Sequence, residues 1–291
     1  MPSKVAFLFP GQGRIPEALP VNIERFSRLL SMTTDAGLQL ADWVLAGDKS
    51  RLGQTDASQP ILFLDSLCRE RMLRDAGWYP ICVAGHSLGE YAALVSAGVL
   101  GEDDAMRAVI ERGRLMQDID GTMVAILKLD LDTVTTLCQG TEAVVANHNA
   151  VTQIIVSGAA GDIQTVTQRA EDAGARCMPL TVSGPFHSPL MQPAQDALLP
   201  LLDTLVFREP TMPVVSGVSG QSHRQARDLK GFLQRQITSP VRWVDVSKQL
   251  EQLGVETAVE VGSGEILTRL GRRSQSSIRF LTFEEAIHER I

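Results

Sequence analysis

The chain has 291 residues, of which 44% are hydrophobic and 21% are charged, and its formal net charge is −7. This composition suits one large globular domain, or a large domain with a small insert. An acidic balance without a long lysine or arginine run argues against nucleic-acid binding. No window approaches the roughly 18 uninterrupted apolar residues of a membrane span, and Pro10 breaks the apolar N-terminal run. We therefore predict neither a membrane protein nor a signal peptide.

The four cysteines are scattered and lack the paired spacing of a metal site or a disulfide framework. They are Cys68, Cys82, Cys138 and Cys177. We therefore expect buried thiols, no bound metal and a reducing, cytoplasmic environment.

Strands and helices alternate over the first 120 residues. Apolar patterning and Gly/Pro punctuation predict a strand at 5–9, helical residues at 21–45 with a break near 35–37, a helix at 59–76 with Pro60 in its first turn, a strand at 81–84, and helices at 88–97 and 102–117. This alternation predicts an α/β fold with a parallel sheet.

The pattern changes after Gly121. The next segment predicts, in order, a strand at 122–129, a helix at 132–138, strands at 143–147 and 153–157, a helix at 162–173 and a strand at 176–182. This β-α-β-β-α-β order is that of a ferredoxin-like unit. We therefore predict a small ferredoxin-like subdomain at 121–185, inserted into a catalytic α/β core formed by 1–120 and 186–291. The resumed core is predicted to contain a helix near 189–203 and strands near 213–216 and 258–261.

A glycine-rich turn, Gly85-His86-Ser87-Leu88-Gly89, lies between a predicted strand and a predicted helix. This context is that of the G-x-S-x-G nucleophile elbow, in which glycines allow a sharp turn and the serine lies at a helix N-terminus. The Leu88 backbone N–H would then point at a developing oxyanion. The pentapeptide alone is equally compatible with a glycine-rich turn whose serine only caps the helix.

A serine nucleophile needs a base, and the chain has five histidines. His187 lies in the segment 183–188, where the predicted insert returns to the core, and loops at such junctions line clefts. The other histidines lie beside the serine, in the predicted insert, or in polar and charged segments: His86, His148, His223 and His288. We predict that His187 is the base; the alternative is a hinge histidine without a catalytic role.

Two further motifs are candidate binding elements. The first predicted strand ends in Pro10-Gly11-Gln12-Gly13, whose glycines would let the Gln12 N–H approach a ligand as a second oxyanion donor, although many strands end in such turns. Arg112 and Arg114 lie at the end of a predicted helix. They are either a cationic last turn or a clamp for a substrate carboxylate, and their spacing does not decide between these roles.

Taken together, eight stretches in order resemble the malonyl-CoA:acyl carrier protein transacylase family over nearly the whole chain. They are FPGQG (9–13), SQP (58–60), GHSLGEY (85–91), ERGRLMQ (111–117), ANHN (146–149), GPFHSPLM (184–191), SPVRW (239–243) and EVGSG (260–264). The resemblance implies a hydrolase-like parallel-sheet α/β core with a smaller ferredoxin-like α+β insert, in agreement with the prediction from element order.

The resemblance also implies roles for single residues. Ser87 would be the nucleophile, His187 its base, and the Gln12 and Leu88 amides the oxyanion hole. Arg112 would hold the malonyl carboxylate. The family orients its histidine with a main-chain carbonyl instead of an acid, at the position of Gln236 in this chain. The remaining matching positions line the pocket: Gln59, Asn147 and Phe186. Phe186 resembles the malonyl-selective form of its motif, and its ring would fill the space of an α-methyl branch.

The implied reaction is ping-pong acyl transfer. The malonyl group would pass from malonyl-CoA to Ser87, and then to the phosphopantetheine thiol of an acyl carrier protein. No metal or redox cofactor is expected, and the pantetheine would be carried by the partner. Acyl carrier proteins are acidic, so docking would need a local basic patch on this acidic chain. Two sets are candidates, although both could be ordinary solvated side chains: Arg269, Arg272 and Arg273, and Arg224, Arg227 and Lys230.

The chain departs from the family pattern in three places. Residues 14–18 follow FPGQG in a shortened region, Ser263 replaces a usual proline, and 150–152 replaces a proline-containing turn. A shortened relative fits fatty-acid synthesis, a trans-acting polyketide pathway, or the malonyl-transfer subunit of malonate decarboxylase.

Two further classes of protein are alternatives. A serine esterase or thioesterase needs an acid between its serine and its histidine in the chain, and Asp162 and Asp172 lie there, although in the predicted insert. A non-catalytic carrier-docking subunit is the other alternative, and the presence of both Ser87 and His187 argues against it.

Overall fold

The structure, a computed structural model, describes residues 4–18, 22–274 and 276–290. In its first part, strands alternate with helices as the sequence predicts. Its elements are β1 (Val5–Phe9), α1 (Ser27–Asp35), α2 (Leu40–Leu45), α3 (Lys49–Leu52), α4 (Thr55–Asp75), β2 (Pro80–Gly85), α5 (Gly89–Ser96) and α6 (Glu102–Gln117). A 3₁₀ turn at Ile23–Phe26 lies between β1 and α1.

The middle of the chain has the predicted order of strands and helices. Its elements are β3 (Thr122–Leu127), α7 (Leu131–Leu137), β4 (Val144–Ala150), β5 (Gln153–Gly158), α8 (Ala160–Asp172) and β6 (Arg176–Pro179). The four strands form one sheet in the order β4-β5-β3-β6, and every neighbouring pair is antiparallel. Residues of α7 and α8, such as Val134 and Val166, cover one face of this sheet and form its core with Ile126 and Ile154.

The last part of the chain adds five helices and four short strands, with 3₁₀ turns at Pro189–Met191 and Gln236–Thr238. Its elements are α9 (Gln192–Thr204), β7 (Val214–Val215), β8 (Ser222–His223), α10 (Ala226–Arg235), α11 (Trp243–Gln252), β9 (Thr257–Glu260), α12 (Ile266–Arg273), β10 (Arg279–Leu281) and α13 (Phe283–His288). Strands β8 and β10 were not predicted, because two or three residues are too short to show a period-2 pattern.

The larger sheet has the order β10-β9-β1-β2-β7-β8. All neighbouring pairs are parallel except β7 with β8. Strand β1 lies in the middle, is buried throughout, and alternates its side chains between two cores. Phe7 and Phe9 pack with α4, α5 and α6 on one face, whereas Ala6 and Leu8 pack with α11 and α12 on the other. A central strand covered on both faces is a rigid base for the loops at its carboxyl end.

Helix α4 begins four residues earlier than predicted, at Thr55 instead of Gln59, so Pro60 lies inside the helix. The prediction of Pro60 in the first turn was therefore wrong. Proline lacks the N–H that would bond the carbonyl of Asp56. Packing of the apolar residues that follow Pro60 offsets that loss, since Ile61, Leu64 and Leu67 are almost fully buried.

Backbone hydrogen bonds attach the small sheet to the segment that precedes α11. The Val241 N–H donates to the Ala146 carbonyl (2.8 Å), and the His148 N–H donates to the Val241 carbonyl (2.9 Å). These bonds tie β4 to the segment that leads into α11. The Arg242 N–H of the same segment donates to the Gly217 carbonyl (2.8 Å), two residues beyond β7, the strand that pairs with β2.

Two further expectations concern the whole chain. The four cysteines are free thiols, and three of them are buried while Cys177 is half-buried. In the described residues, no helix is long and apolar enough to cross a membrane.

Candidate active site

Ser87 lies on a sharp turn between β2 and α5. Its backbone φ is 51°, in the left-handed region that non-glycine residues rarely adopt. The flanking glycines are required because the turn is crowded. A Cβ at Gly85 would overlap the backbone of Glu90, and one at Gly89 would overlap the Phe9 carbonyl. The sequence therefore forms a strained turn that presents the Ser87 hydroxyl at a helix N-terminus.

His187 lies beside this serine although 100 residues separate them in the chain. Ser87 Oγ is 2.8 Å from His187 Nε2, and His187 Nδ1 lies 2.9 Å from the Ser239 carbonyl and 3.1 Å from the Gln236 carbonyl. Since both carbonyls can only accept, Nδ1 carries the proton and Nε2 is left to accept the proton of Ser87. The His187 backbone also has a positive φ, 57°.

His187 is buried, with 3% of its surface exposed. Burial lowers its pKa to about 3, and the positive charge of Arg112 and the nearby His86 ring act in the same direction. The two carbonyl contacts oppose this shift. The imidazole is therefore neutral near neutral pH, which is the form that can accept a proton.

Arg112 lies on the other side of Ser87, on α6, with 1% of its surface exposed. Its Nη1 donates to Gln59 Oε1 at 2.7 Å, and its Nη2 lies 3.2 Å from Ser87 Oγ and 3.3 Å from Gln236 Oε1. Burial lowers the pKa of Arg112, but an arginine keeps its charge in proteins. Arg114, in contrast, is exposed and pairs with Glu111, so the helix places only Arg112 at the serine.

The two backbone amides predicted for an oxyanion hole lie close to the serine. Leu88 is the residue next to Ser87 and caps α5. The turn of Gln12 packs on the elbow, since a Cβ at Gly11 would come within 2.8 Å of the His86 carbonyl and 3.5 Å of Ser87 Cβ. In the part of the chain that the structure describes, neither the Leu88 nor the Gln12 N–H has a hydrogen-bond partner. Both donors are thus free for a ligand.

Asn147 and Phe186 lie at the border between the two sheets. Asn147 belongs to β4, is 6% exposed, and forms a parallel bridge with Val241. Phe186 directly precedes the histidine, is 7% exposed, and packs among side chains that include Met116 and Ile237. Among the residues that the structure describes, the Asn147 side chain forms no hydrogen bond with Ser87, His187 or Arg112.

Asp162 and Asp172, the acids that an esterase would need, do not contact the histidine. Both lie on α8, which packs on the small sheet. The partners of His187 Nδ1 are carbonyls, not a carboxylate. The geometry therefore does not form the Ser-acid-His arrangement of that alternative.

Sequence reasoning missed three contributors to the site. The Ser239 carbonyl is nearer to His187 Nδ1 than the Gln236 carbonyl. The His86 ring, which adjoins the nucleophile, is held by Asn149 Oδ1 at 2.9 Å. Glu90, three residues after Ser87, is buried and bonds the Gln236 side chain. The motifs SPVRW, ANHN and GHSLGEY contain Ser239, Asn149 and Glu90. The sequence could therefore have indicated these residues, had a role been considered for every polar residue of each motif.

A family model described as "Acyl transferase domain" matches residues 23–285. The chain is 34% identical over 298 residues to the malonyl CoA-acyl carrier protein transacylase of Bacillus subtilis, covering 97% of this chain and 94% of that protein. It is also 37% identical to a polyketide biosynthesis protein of Burkholderia thailandensis, but that match covers 92% of this chain and only 24% of the relative.

Among solved structures, one similar chain comes from a type II PKS acyl-carrier protein in complex with its malonyl-transacylase. The TM-score is 0.88 at 31% identity, and the match covers 99% of this chain and 100% of the other. Identity above 30% over nearly the full length means that the likeness extends beyond fold to sequence.

Proposed function

Because the chain belongs to the malonyl-CoA:acyl carrier protein transacylase family, we propose that it transfers a malonyl group from malonyl-CoA to the phosphopantetheine thiol of an acyl carrier protein. The transfer proceeds through a malonyl ester of Ser87. The observation that carries this proposal is the buried guanidinium of Arg112, whose Nη2 lies 3.2 Å from Ser87 Oγ. A fixed cation beside a nucleophile suits an acyl group that ends in a carboxylate.

Acylation starts from the hydrogen bond between Ser87 and His187. Nε2 of the neutral imidazole takes the hydroxyl proton as Oγ attacks the thioester carbon. The carbonyl oxygen becomes an oxyanion, which the free N–H groups of Leu88 and Gln12 stabilise, each contributing about 3 kcal/mol. The tetrahedral intermediate collapses, the C–S bond breaks, and the imidazolium gives its proton to the leaving coenzyme A thiolate.

Transfer to the carrier repeats these steps in reverse. The pantetheine thiol gives its proton to His187 Nε2 and attacks the Ser87 ester, and Ser87 Oγ recovers the proton as it leaves. Each proton and acyl group moves between the chain and its two substrates, so we propose that the reaction needs no metal or redox cofactor. Water must be kept from the ester between the two halves, and the burial of His187 and Arg112 supports such exclusion.

The low pKa of His187 fits a substrate that brings its own negative charge. The Arg112 charge is one cause of that low pKa. A malonyl carboxylate bound to Arg112 compensates this charge and makes the imidazole more basic. Binding of the correct acyl group therefore improves the base. Gln59 accepts a hydrogen bond from Arg112 Nη1 and so orients the second nitrogen of the guanidinium fork. We propose that Phe186 and Asn147 form the wall around the malonyl methylene. The Phe186 ring would disfavour an α-methyl branch there.

Two structural assignments accompany this proposal. We propose that the core is hydrolase-like in presenting its nucleophile on a strand–turn–helix elbow, and that the small sheet is a ferredoxin-like subdomain. The order β6-β3-β5-β4 and the β-α-β-β-α-β succession support the second assignment. We propose that residues 1–120 and 186–291 form the core and that residues 121–185 form the subdomain. A cytoplasmic location stays a prediction.

The pathway is a separate question. The similarity to a polyketide biosynthesis protein and to a malonyl-transacylase bound to a type II PKS acyl-carrier protein favours a polyketide carrier as a second candidate beside a fatty-acid carrier. The malonate decarboxylase alternative stays a prediction.

A transfer assay tests the proposed function. The enzyme is incubated with malonyl-CoA labelled in its acyl group, and the label on protein and on an added holo-acyl carrier protein is measured separately. We expect label on the enzyme without the carrier, its passage to the carrier thiol, and ping-pong kinetics. Release of free malonate without carrier labelling would identify a hydrolase, and absence of any enzyme-bound label would identify a non-catalytic docking subunit.

A further inference from the structure

Glu90 is a buried ionisable group that the proposed mechanism does not use. It lies in the first turn of α5, three residues after the nucleophile, with 2% of its surface exposed. Its Oε2 accepts a hydrogen bond from Gln236 Nε2 at 2.7 Å. Burial raises its pKa, whereas hydrogen bonds from Ser216 and Gln236 and the charge of Arg112 lower it. Burying a carboxyl lowers the stability of the fold unless hydrogen bonds or nearby charges compensate for its lost hydration.

Gln236 connects this carboxyl to Ser87, His187 and Arg112. Its main-chain carbonyl accepts from His187 Nδ1 at 3.1 Å. Its side-chain Oε1 accepts from Arg112 Nη2 at 3.3 Å, and its Nε2 donates to the Ser87 carbonyl at 3.0 Å as well as to Glu90. The sequence had suggested only a main-chain role for this residue. The side chain is fully buried too, so its bonds are not exchanged for water.

The orientation of the Gln236 amide decides whether Arg112 Nη2 faces the amide oxygen or the amide nitrogen. An amide has two donors on nitrogen and an acceptor oxygen, and a half-turn exchanges them. In the flipped orientation the amide nitrogen would face the Arg112 guanidinium, with donors against donors. The oxygen would then face the Glu90 carboxylate and the Ser87 carbonyl, with acceptors against acceptors. Glu90 Oε2 and the Ser87 carbonyl both accept from Gln236 Nε2 and hold the observed orientation, and an ionised Glu90 is the stronger of these two acceptors.

The Gln236 amide also separates the Glu90 carboxyl from the Arg112 guanidinium. In the described part of the chain, Arg112 forms no ion pair with an aspartate or glutamate. A carboxylate placed directly on the guanidinium would occupy the donors that a substrate carboxylate needs. With Gln236 between them, Glu90 orders the fork without blocking it.

We propose that Glu90 is a positioning residue that acts through the Gln236 amide to set the Arg112 fork for the carboxylate of the acyl group. This inference rests on the proposed malonyl transfer. It assigns the selectivity of the site to three hydrogen-bonded side chains, Glu90, Gln236 and Arg112, of which only Arg112 touches the substrate.

The test compares acylation by malonyl-CoA and by acetyl-CoA, because acetyl has no carboxylate for Arg112 to bind. In Glu90→Met the acceptor is lost at similar volume, and we expect kcat/KM for malonyl-CoA to fall about tenfold or more, with a smaller loss for acetyl-CoA. Glu90→Gln keeps an acceptor oxygen and should restore most of the malonyl-to-acetyl ratio. Glu70→Met is the matched control, since Glu70 is also buried but bonds Arg74 and Ser96, and its ratio should be that of the wild type.

A second pair of variants tests the connection itself. Gln236→Met removes the side-chain amide and leaves the main-chain carbonyl that faces His187, so it should lower the ratio as Glu90→Met does. The double variant should be no worse than either single one, because both break one chain of bonds. If Glu90→Met does not fold, as judged by circular dichroism, Glu90→Asp replaces it, since its carboxylate is one methylene too short.

Three results would overturn the inference: an equal loss for both thioesters, a Glu90→Gln variant as impaired as Glu90→Met, or additive losses in the double variant. These results are distinct from failure of the proposed function, which would appear as a wild-type enzyme that forms no malonyl ester.

Discussion

The two residues that flank Ser87 are held in different ways. On one side, His187 is oriented by main-chain carbonyls, those of Ser239 and Gln236. On the other side, Arg112 is oriented by side-chain oxygens, those of Gln59 and Gln236. A side-chain substitution cannot delete a main-chain carbonyl, whereas it can delete a side-chain amide. Substitution of Ser239 or Gln236 therefore leaves the carbonyls that orient His187 in the chain. Substitution of Gln59 or Gln236 removes a side-chain oxygen that orients Arg112.

This difference separates chemistry from selectivity. In the proposed mechanism, acyl transfer uses the serine, the base and the two free amides, and the base is oriented by main-chain carbonyls. In the same proposal, the choice of acyl group depends on the buried charge of Arg112 and on the side chains that orient it. We therefore expect that substitutions of the side chains around Arg112 change the preferred acyl group more than they change the acyl-transfer step.

The largest effect is expected from removing the base. His187→Ala should lower the acylation rate by roughly 100- to 10,000-fold, because an unassisted hydroxyl is a poor nucleophile near neutral pH. Single-turnover acylation with malonyl-CoA measures it. His86→Ala is the control: this ring contacts Asn149 and not Ser87, so its loss should be smaller. Equal losses in two folded variants would remove the assignment of His187 as the base.

The next effect concerns the other flank. Arg112→Ala should lower kcat/KM for malonyl-CoA by about 100-fold, because two charge-assisted hydrogen bonds are lost, and should retain or raise acetyl transfer. Arg112→Lys should recover part of the malonyl activity, since an ammonium cannot form the two-pronged contact. The measurement is kcat/KM for both thioesters with each variant. Equal factors for malonyl and acetyl would mean that the arginine is structural.

A pH profile sharpens the comparison, because the two flanks are coupled by charge. With a pKa of about 3, His187 stays neutral as pH falls through its ordinary value near 6.5. The wild-type acylation rate with acetyl-CoA should therefore show no acid limb near that value. Arg112→Gln removes one cause of the low pKa, so the pKa rises and the rate should begin to fall at a higher pH than in the wild type. A wild-type limb near 6.5, or identical profiles, would contradict this coupling.

The smallest effect is expected at the surface, far from both flanks. Arg272 bonds the Phe280 carbonyl and pairs with Glu285, so it is a poorer docking candidate than Arg273, which is exposed and has no ion pair in the described residues. Arg273→Glu should raise the KM for the carrier a few-fold and leave that for malonyl-CoA unchanged. Arg176→Glu, at an exposed arginine on β6, is the control. An unchanged carrier KM would exclude this patch.

The sequence predicts helices and strands, because their apolar positions recur at a fixed period. It does not predict contacts between side chains that are far apart in the chain. Periodic apolar positions predicted the alternation before residue 117 and the β-α-β-β-α-β order after it. The elbow was visible because glycine spacing marks a tight turn. Chain order carries no information on the bond between Gln236 and Glu90, which are 146 residues apart, or between Gln236 and Arg112, which are 124 apart. Only folding brings these side chains together. The orientation of the Gln236 amide depends on all of its hydrogen-bond partners at once.

The most direct test of the account locates the acyl group on the enzyme. Wild-type protein and Ser87→Ala are incubated with malonyl-CoA, quenched in acid, and analysed by intact mass and peptide mapping. The account predicts one malonyl group on the wild type, on the peptide that contains Ser87, and none on the folded alanine variant. A malonyl group on another residue, or an alanine variant that is labelled like the wild type, would contradict it.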